Sequence, residues 1–296
     1  MFTGLSAFPL TPLNDDRFDE RAYAGLITRL SEAGVDSIGA LGSTGSYAYL
    51  DREERRRAAR TAVQHADGTP VVVGIGALRT SHVRALAQDA QQAGASAVLL
   101  APVSYQPLTE EDVFALYATV AAELSVPLVV YDNPGTTRFT FSTELYARVA
   151  ALPAVAAVKI PPVPADPAAA RERVAAVRAA VPDHVTVGGS GDGVAATGLN
   201  AGCRAWFSVV GGTLPATALP LVRAALSGDA EGAEAESERL RPLWEMFASH
   251  GSLRVVAAIA EHLGLVAPRC LPRPILGLPA AERERVARVV EQLGLA

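Results

Sequence analysis

The sequence predicts an α/β protein of the (β/α)8 TIM-barrel class with a C-terminal α-helical extension, and three observations carry this. Short runs that are apolar on both faces recur along the chain, each followed by an amphipathic helical stretch; buried parallel strands read this way. The alternation repeats eight times over roughly 225 residues, a length that a closed barrel accommodates as one domain. From Asp229 onward the strand pattern stops and only helical segments remain. An open doubly wound sheet is the competing architecture, but no Gly-x-Gly-x-x-Gly follows the first strand.

Taken in order, Leu5–Phe8 is the first strand, closed by Pro9, Pro12 and the Asn14-Asp15-Asp16 turn. Asp19 caps a helix to about Ala33, with Leu26, Ile27 and Leu30 at helical spacing and Gly34 as its stop. Ser37–Leu41 is the second strand and runs directly into Gly42-Ser43-Thr44-Gly45-Ser46. Asp51 and Glu54 form a capping-box pattern that opens a charged helix to Ala66. Pro70–Ile75, Ala97–Leu100 and Pro127–Tyr131 are the next strands, with helices over Thr80–Ala93 and Thr109–Leu124 between them. After the loop Asp132–Thr140 come the helix Ser142–Ala151, the strand Val155–Lys159, a proline-studded loop and the helix Ala168–Ala180. Thr186–Gly188, a helix over Gly191–Asn200, Ala205–Val209 and the helix Leu214–Ser227 complete the alternation. Helices over Ala230–Ala248, Leu253–Leu263 and Ala280–Leu293 make the extension. Residues 1–227 are therefore read as the barrel carrying the active site, and 228–296 as the helical extension.

Composition narrows the function. Of the 296 residues 50% are apolar and 19% charged, enough for a large core. The net charge is −5 with the basic residues scattered, which argues against nucleic-acid or anionic-membrane partners. No apolar run is long enough for a membrane span, and Met1–Leu5 has neither the charge nor the apolar core of a signal peptide, so a cytoplasmic location is expected. Two cysteines, Cys203 and Cys270, and five dispersed histidines give no metal-ligand spacing.

One residue stands out chemically. The chain has 26 Lys+Arg; subtracting its single lysine, Lys159, leaves 25 arginines. Arginine stays protonated, whereas a buried amine can lose its proton and attack a carbonyl. A free lysine is neutral in only about one molecule in 2,500 at pH 7, and half-neutrality requires roughly 3.4 units, or about 4.6 kcal/mol, from the environment. Lys159 ends an apolar strand, and barrels do chemistry at the C-terminal ends of strands. An ordinary structural lysine is the bland alternative. Among the other strand ends, Ser43, Thr44 and Tyr131 are the polar candidates. Tyr131 is read as the proton shuttle, against a plain rim tyrosine. Gly42-Ser43-Thr44-Gly45 is read as a carboxylate nest, against a simple βα turn.

These residues in this order resemble the dihydrodipicolinate synthase/N-acetylneuraminate lyase family of class I aldolases. The resemblance spans Pro9-Leu10-Thr11-Pro12, the Gly42–Gly45 turn, Gly74-Ile75-Gly76, Tyr131-Asp132-Asn133-Pro134, Val158-Lys159 and Gly189-Ser190-Gly191-Asp192. It implies that Lys159 forms a Schiff base with pyruvate or another 2-oxo acid, that Tyr131 and Thr44 shuttle protons, and that Ser43, Thr44 and Gly45 bind the carboxylate. Gly189, Val209, Thr136 and Arg138 complete the implied substrate-binding set; the resemblance also implies a homotetramer arranged as a dimer of dimers, and neither a metal nor an organic cofactor.

Three departures bear on the second substrate. Ser46 stands where the family usually has glutamate. Val103-Ser104 stand where the synthases carry a Tyr-Tyr pair, with Tyr105 one place late. Thr136 stands where the synthases place a carboxylate-binding arginine, with Arg138 two residues further on. The sequence therefore predicts a Schiff-base aldolase or hydro-lyase with a different second substrate, an aldehyde or sugar acid. The family's synthase of lysine biosynthesis is the alternative, and a non-catalytic 2-oxo-acid-binding barrel is the reading from another class.

Overall fold

The computed structural model of the protein describes residues 2–295; Met1 and Ala296, the outer ends of the two predicted segments, lie outside the described residues. Eight parallel strands close a barrel in sequential order: β1 Gly4–Ala7, β2 Ser37–Ala40, β3 Val71–Gly74, β4 Ala97–Leu100, β5 Leu128–Tyr131, β6 Val155–Ile160, β7 Thr186–Gly189 and β8 Ala205–Ser208. Around them run α1 Glu20–Glu32, α2 Arg52–His65, α3 Thr80–Gln92, α4 Glu110–Ala121, α5 Thr143–Ala150, α6 Pro167–Ala180, α7 Ala195–Asn200 and α8 Pro215–Ser227. The extension is α9 Ala230–Arg239, α10 Arg241–His250, α11 Ser252–His262 and α12 Ala280–Gln292. Among the described residues, no helix is long and apolar enough to cross a membrane.

Strand side chains alternate with the pleat. Val129 and Tyr131 of β5, Ala157 of β6, and Ala205 and Phe207 of β8 pack in one cluster that fills the barrel. Leu128, Val130, Val158, Val187 and Trp206 belong to the larger layer under the helices. The inner layer needs room for two phenyl rings, Phe8 and Phe207, which meet edge-on at 6.0 Å. Glycine supplies it: a Cβ on Gly39 would lie 2.4 Å from the Phe8 ring, and one on Gly188 2.6 Å from the Phe207 ring. Register then sets the site. Tyr131 pairs with Lys159 across β5–β6, and Lys159 with Gly188 across β6–β7, so the three stand at one level of the barrel.

Local signals in the sequence reappear as hydrogen bonds. The Asp51 carboxylate accepts from Glu54 N at 2.8 Å while Asp51 N donates to the Glu54 carboxylate at 3.0 Å, a reciprocal cap for α2. Asp15 and Asp16 adopt left-handed φ values of 47° and 60°, and the turn they make closes a two-residue hairpin, Leu13–Asn14 against Arg17–Phe18. The expected helix over Ala230–Ala248 is two helices. Leu240 leaves helical geometry (φ −89°, ψ 3°), and Pro242 in the first turn of α10 has no N–H to continue the ladder. The expected helix over Gly191–Asn200 likewise begins as a 3-10 turn, Asp192–Val194, before α7. The extension packs against the barrel through α11: Val256, Ala257 and Ala260 share a buried cluster with Leu10 and Leu26. Leu13 N also donates to the Cys270 carbonyl at 2.8 Å.

Candidate active site

Lys159 projects from β6 into the barrel and is only 5% exposed. Its Nζ lies 4.6 Å from the centroid of the Tyr131 ring, 4.8 Å from Phe8 and 5.3 Å from Phe207. Burial disfavours the ammonium, while the ring faces and the Asp192 carboxylate favour it. Desolvation wins: it brings the amine from the 10.5 of an exposed lysine to about 7, with Asp192 opposing. Half of the amine is then neutral near neutral pH. Surface cations elsewhere are guanidinium groups, as in Arg57–Glu20 and Arg84–Glu123 (both 2.6 Å), so Lys159 is the one amine side chain available for attack.

This burial has a measurable consequence for stability. The unfolded chain holds the lysine proton up to about pH 10.5, the folded chain only up to about pH 7. Between those values unfolding takes up a proton, so rising pH favours the folded state. Below pH 7 the full difference, about 5 kcal/mol at most, weighs against folding. Lys159→Met is accordingly expected to be more stable than the native chain at pH 6, with an advantage that shrinks steadily towards pH 10. Urea unfolding at several pH values measures this; a pH-independent advantage would contradict it.

Asp192 was no candidate in the sequence, yet it organises the rim. It begins the turn after β7 and is buried at 5% exposure. Its carboxylate accepts from Trp206 Nε1 (3.0 Å), Val209 N (3.1 Å) and Val210 N (2.7 Å). Burial raises its pKa, and these three donors and Lys159 pull the other way. The group thus fastens the exit of β8 while facing the amine with a counter-charge. The signal available in the sequence was a lone aspartate after Gly189-Ser190-Gly191, which does not reveal that β8 supplies its donors.

Tyr131 is buried beside Lys159, and its hydroxyl oxygen accepts a hydrogen bond from Asn133 Nδ2 at 2.8 Å. Burial pushes the phenol well above its usual range, Tyr47 adds to the rise, and hydrogen bonds from Ser43 and Asn133 oppose it. Tyr131 therefore rests as a neutral phenol, equipped to give a proton before it takes one. Tyr47 is held by Arg55, whose guanidinium lies 5.3 Å from its ring and donates to the carbonyls of Gly74 and Gly76, both at 2.9 Å.

The Ser43–Gly45 turn forms as expected. Ser46 N donates to the Ser43 carbonyl at 3.0 Å, Ser46 takes a left-handed φ of 51°, Thr44 is buried and Ser43 half-buried. A Cβ on Gly45 would meet Thr11 Oγ1 at 3.0 Å and the Leu41 backbone at 3.1 Å, so the turn closes tightly. The structure thus gathers Lys159, Tyr131 and Ser43, with Thr44 and Gly45 in the same turn.

The remaining predicted residues sit apart. Thr136 and Arg138 are exposed, Thr136 within a single helical turn, Pro134–Thr137, and Arg138 at its left-handed end (φ 57°). Tyr105 is 89% exposed. Gly189 lies one residue beyond the inward-facing Gly188, and its own Cβ position points to Cys203 Sγ at 3.5 Å, in the outer layer. Val209 offers its N–H to Asp192 and packs its side chain against the α11 cluster.

Comparison with known proteins identifies the family. Residues 1–293 match the family model of the dihydrodipicolinate synthetase family. The 4-hydroxy-tetrahydrodipicolinate synthase of Methylococcus capsulatus is 31% identical over 291 residues, covering 98% of this chain and 97% of the relative. The crystal structure of dihydrodipicolinate synthase from Agrobacterium tumefaciens superimposes with a TM-score of 0.95 at 48% identity, covering 99% of this chain and 98% of that one. A prophage protein of the dihydrodipicolinic acid synthase family from E. coli K12, solved in complex with pyruvate, gives a TM-score of 0.91 at 26% identity, with both chains covered fully at 100%.

Proposed function

The chain belongs to the dihydrodipicolinate synthetase family of Schiff-base-forming lyases, and from that premise we propose that it condenses pyruvate with an aldehyde through a Schiff base on Lys159. The observation that carries this reading is the buried amine, brought to about 7, in register with a neutral phenol. Backbone N–H groups and hydroxyls of Ser43, Thr44 and Gly45 hold the pyruvate carboxylate. Neutral Lys159 Nζ attacks the ketone carbon, and the carbonyl oxygen leaves as water with a proton delivered by Tyr131. The cationic imine then acidifies the methyl group, which loses a proton to give an enamine, with Thr44 and Ser43 relaying protons to and from Tyr131. The enamine carbon attacks the aldehyde, and the new alkoxide takes a proton from Tyr131. Water then adds to the cationic imine, its oxygen stays with the product as the ketone, and the C–N bond breaks to free the neutral amine while the released proton returns to Tyr131.

For the second substrate, the names of the relatives favour aspartate semialdehyde, the partner of pyruvate in the synthase reaction, over the different substrate expected from the sequence. A specific observation supports the second reading, a sugar-acid or hydroxy-oxo-acid aldolase or dehydratase. Thr136 replaces the synthase arginine, and Arg138 and Tyr105 are exposed. Coupled assays separate the two. The synthase reading expects turnover of pyruvate with aspartate semialdehyde to exceed cleavage or dehydration of any sugar acid; the reverse order supports the second reading.

Residues 1–227 carry this chemistry in our reading, with 228–296 as the extension beside it. A cytoplasmic location is supported by two buried unpaired thiols, Cys203 and Cys270. A homotetramer is supported by exposed Tyr49, Leu78 and Tyr105 on the consecutive loops after β2, β3 and β4.

A further inference from the structure

We infer that Asn133 is a positioning residue for the proton shuttle: its side-chain amide holds the Tyr131 oxygen in place and stabilises the negative charge that this oxygen acquires each time it gives up its proton. The inference deepens the proposed function and rests on it, because it takes Tyr131 as the shuttle.

The geometry is specific. Asn133 Nδ2 donates to Tyr131 Oη at 2.8 Å. An amide NH2 can donate but cannot take the phenolic proton, so this contact leaves the hydroxyl proton free to point elsewhere. Ser43, the other hydrogen-bonding partner of the phenol, can both give and receive. The two contacts thus differ in kind: one exchanges protons, the other stabilises the oxygen after the proton has left. In a buried site such a fixed donor is worth far more than in water.

Asn133 is also held still. Its carbonyl accepts from Thr136 N, Thr137 N and Thr137 Oγ1, each at 3.0 Å, which locks it to the head of the single helical turn Pro134–Thr137. Its side chain is half-buried against Tyr131 rather than free in solvent. Tyr105, in the loop after β4, is 89% exposed and lies in solvent. The other groups facing the phenol are Lys159 on β6 and Tyr47 after β2, with Arg55 behind Tyr47. Neither Lys159 nor Tyr47 makes a hydrogen bond to the phenol oxygen among the described residues. Asn133 is therefore the fixed donor.

The test uses steady-state kinetics and borohydride trapping with pyruvate on the full-length protein. Asn133→Leu is expected to lower kcat about 10- to 100-fold, the loss associated with removing a hydrogen bond to a charged group, while KM for pyruvate is unchanged and the adduct still forms. Asn133→Asp, nearly identical in shape but an acceptor only, is expected to lose at least as much. Tyr131→Phe combined with Asn133→Leu is expected to be no slower than Tyr131→Phe alone, because the donor then has no oxygen to serve. Full activity of Asn133→Asp, or additive losses in the double variant, would overturn the inference. Failure of the native protein to trap pyruvate, or full activity of Tyr131→Phe, would instead overturn the reading of the site on which it rests.

Discussion

Lys159→Arg is expected to lower turnover by about 10,000-fold or more, a loss typical of removing a covalent nucleophile. The charge is conserved and the chemistry is not. A guanidinium remains protonated at any pH at which the protein folds, and it has no free electron pair for the carbonyl carbon. The native amine differs because burial has brought it to about 7. The bulkier group must also fit among three rings that approach Nζ to within 4.6–5.3 Å, so some loss of stability should accompany the loss of activity. Lys159→Met separates the two effects, since it is expected to be inactive and yet more stable than the native chain at neutral pH. Stopped assays with pyruvate and aldehyde, together with thermal unfolding of both variants, measure this. Residual turnover within tenfold of native in either variant would contradict it.

Tyr131→Phe is expected to lower kcat by about 100- to 10,000-fold, the range for removing a positioned general acid and base. The ring stays, so the cluster of Phe8, Phe207 and Val129 around it should be preserved and stability should change little. What is lost is the hydroxyl between Ser43 and Asn133. Adduct formation should be slowed rather than abolished, because Lys159 keeps its neutral fraction. Pre-steady-state trapping resolves the two steps, and an unchanged kcat would remove Tyr131 from the mechanism.

The barrel was legible because its signals are local. Apolar runs, glycine stops and caps such as Asp51 with Glu54 depend on neighbours within a few residues, and each strand carries its own. Lys159 was legible by chemical contrast, as one amine among arginines, and Tyr131 by standing at the end of the preceding strand. The remainder depends on closure. Phe8 and Phe207 flank Lys159 only because β1 pairs with β8, and Asp192 finds its donors on Trp206, Val209 and Val210 only after β7 and β8 align. Asn133 reaches Tyr131 from two residues further on, held as the residue that opens the helical turn Pro134–Thr137, a geometry that spacing alone does not predict. Gly189 illustrates the period of two in a strand: one residue separates a position facing the barrel interior from one facing the outer layer.

The central claim is that Lys159 carries the covalent intermediate, and the uniqueness of this lysine makes the claim directly measurable. Native protein incubated with pyruvate and sodium borohydride, then weighed intact and after proteolysis, should gain the mass of pyruvic acid less one oxygen atom. The gain should lie on the peptide containing Val158-Lys159-Ile160 and be absent from Lys159→Arg treated in the same way. A native protein that gains no mass, or gains it at the N-terminal amine instead, would contradict the account.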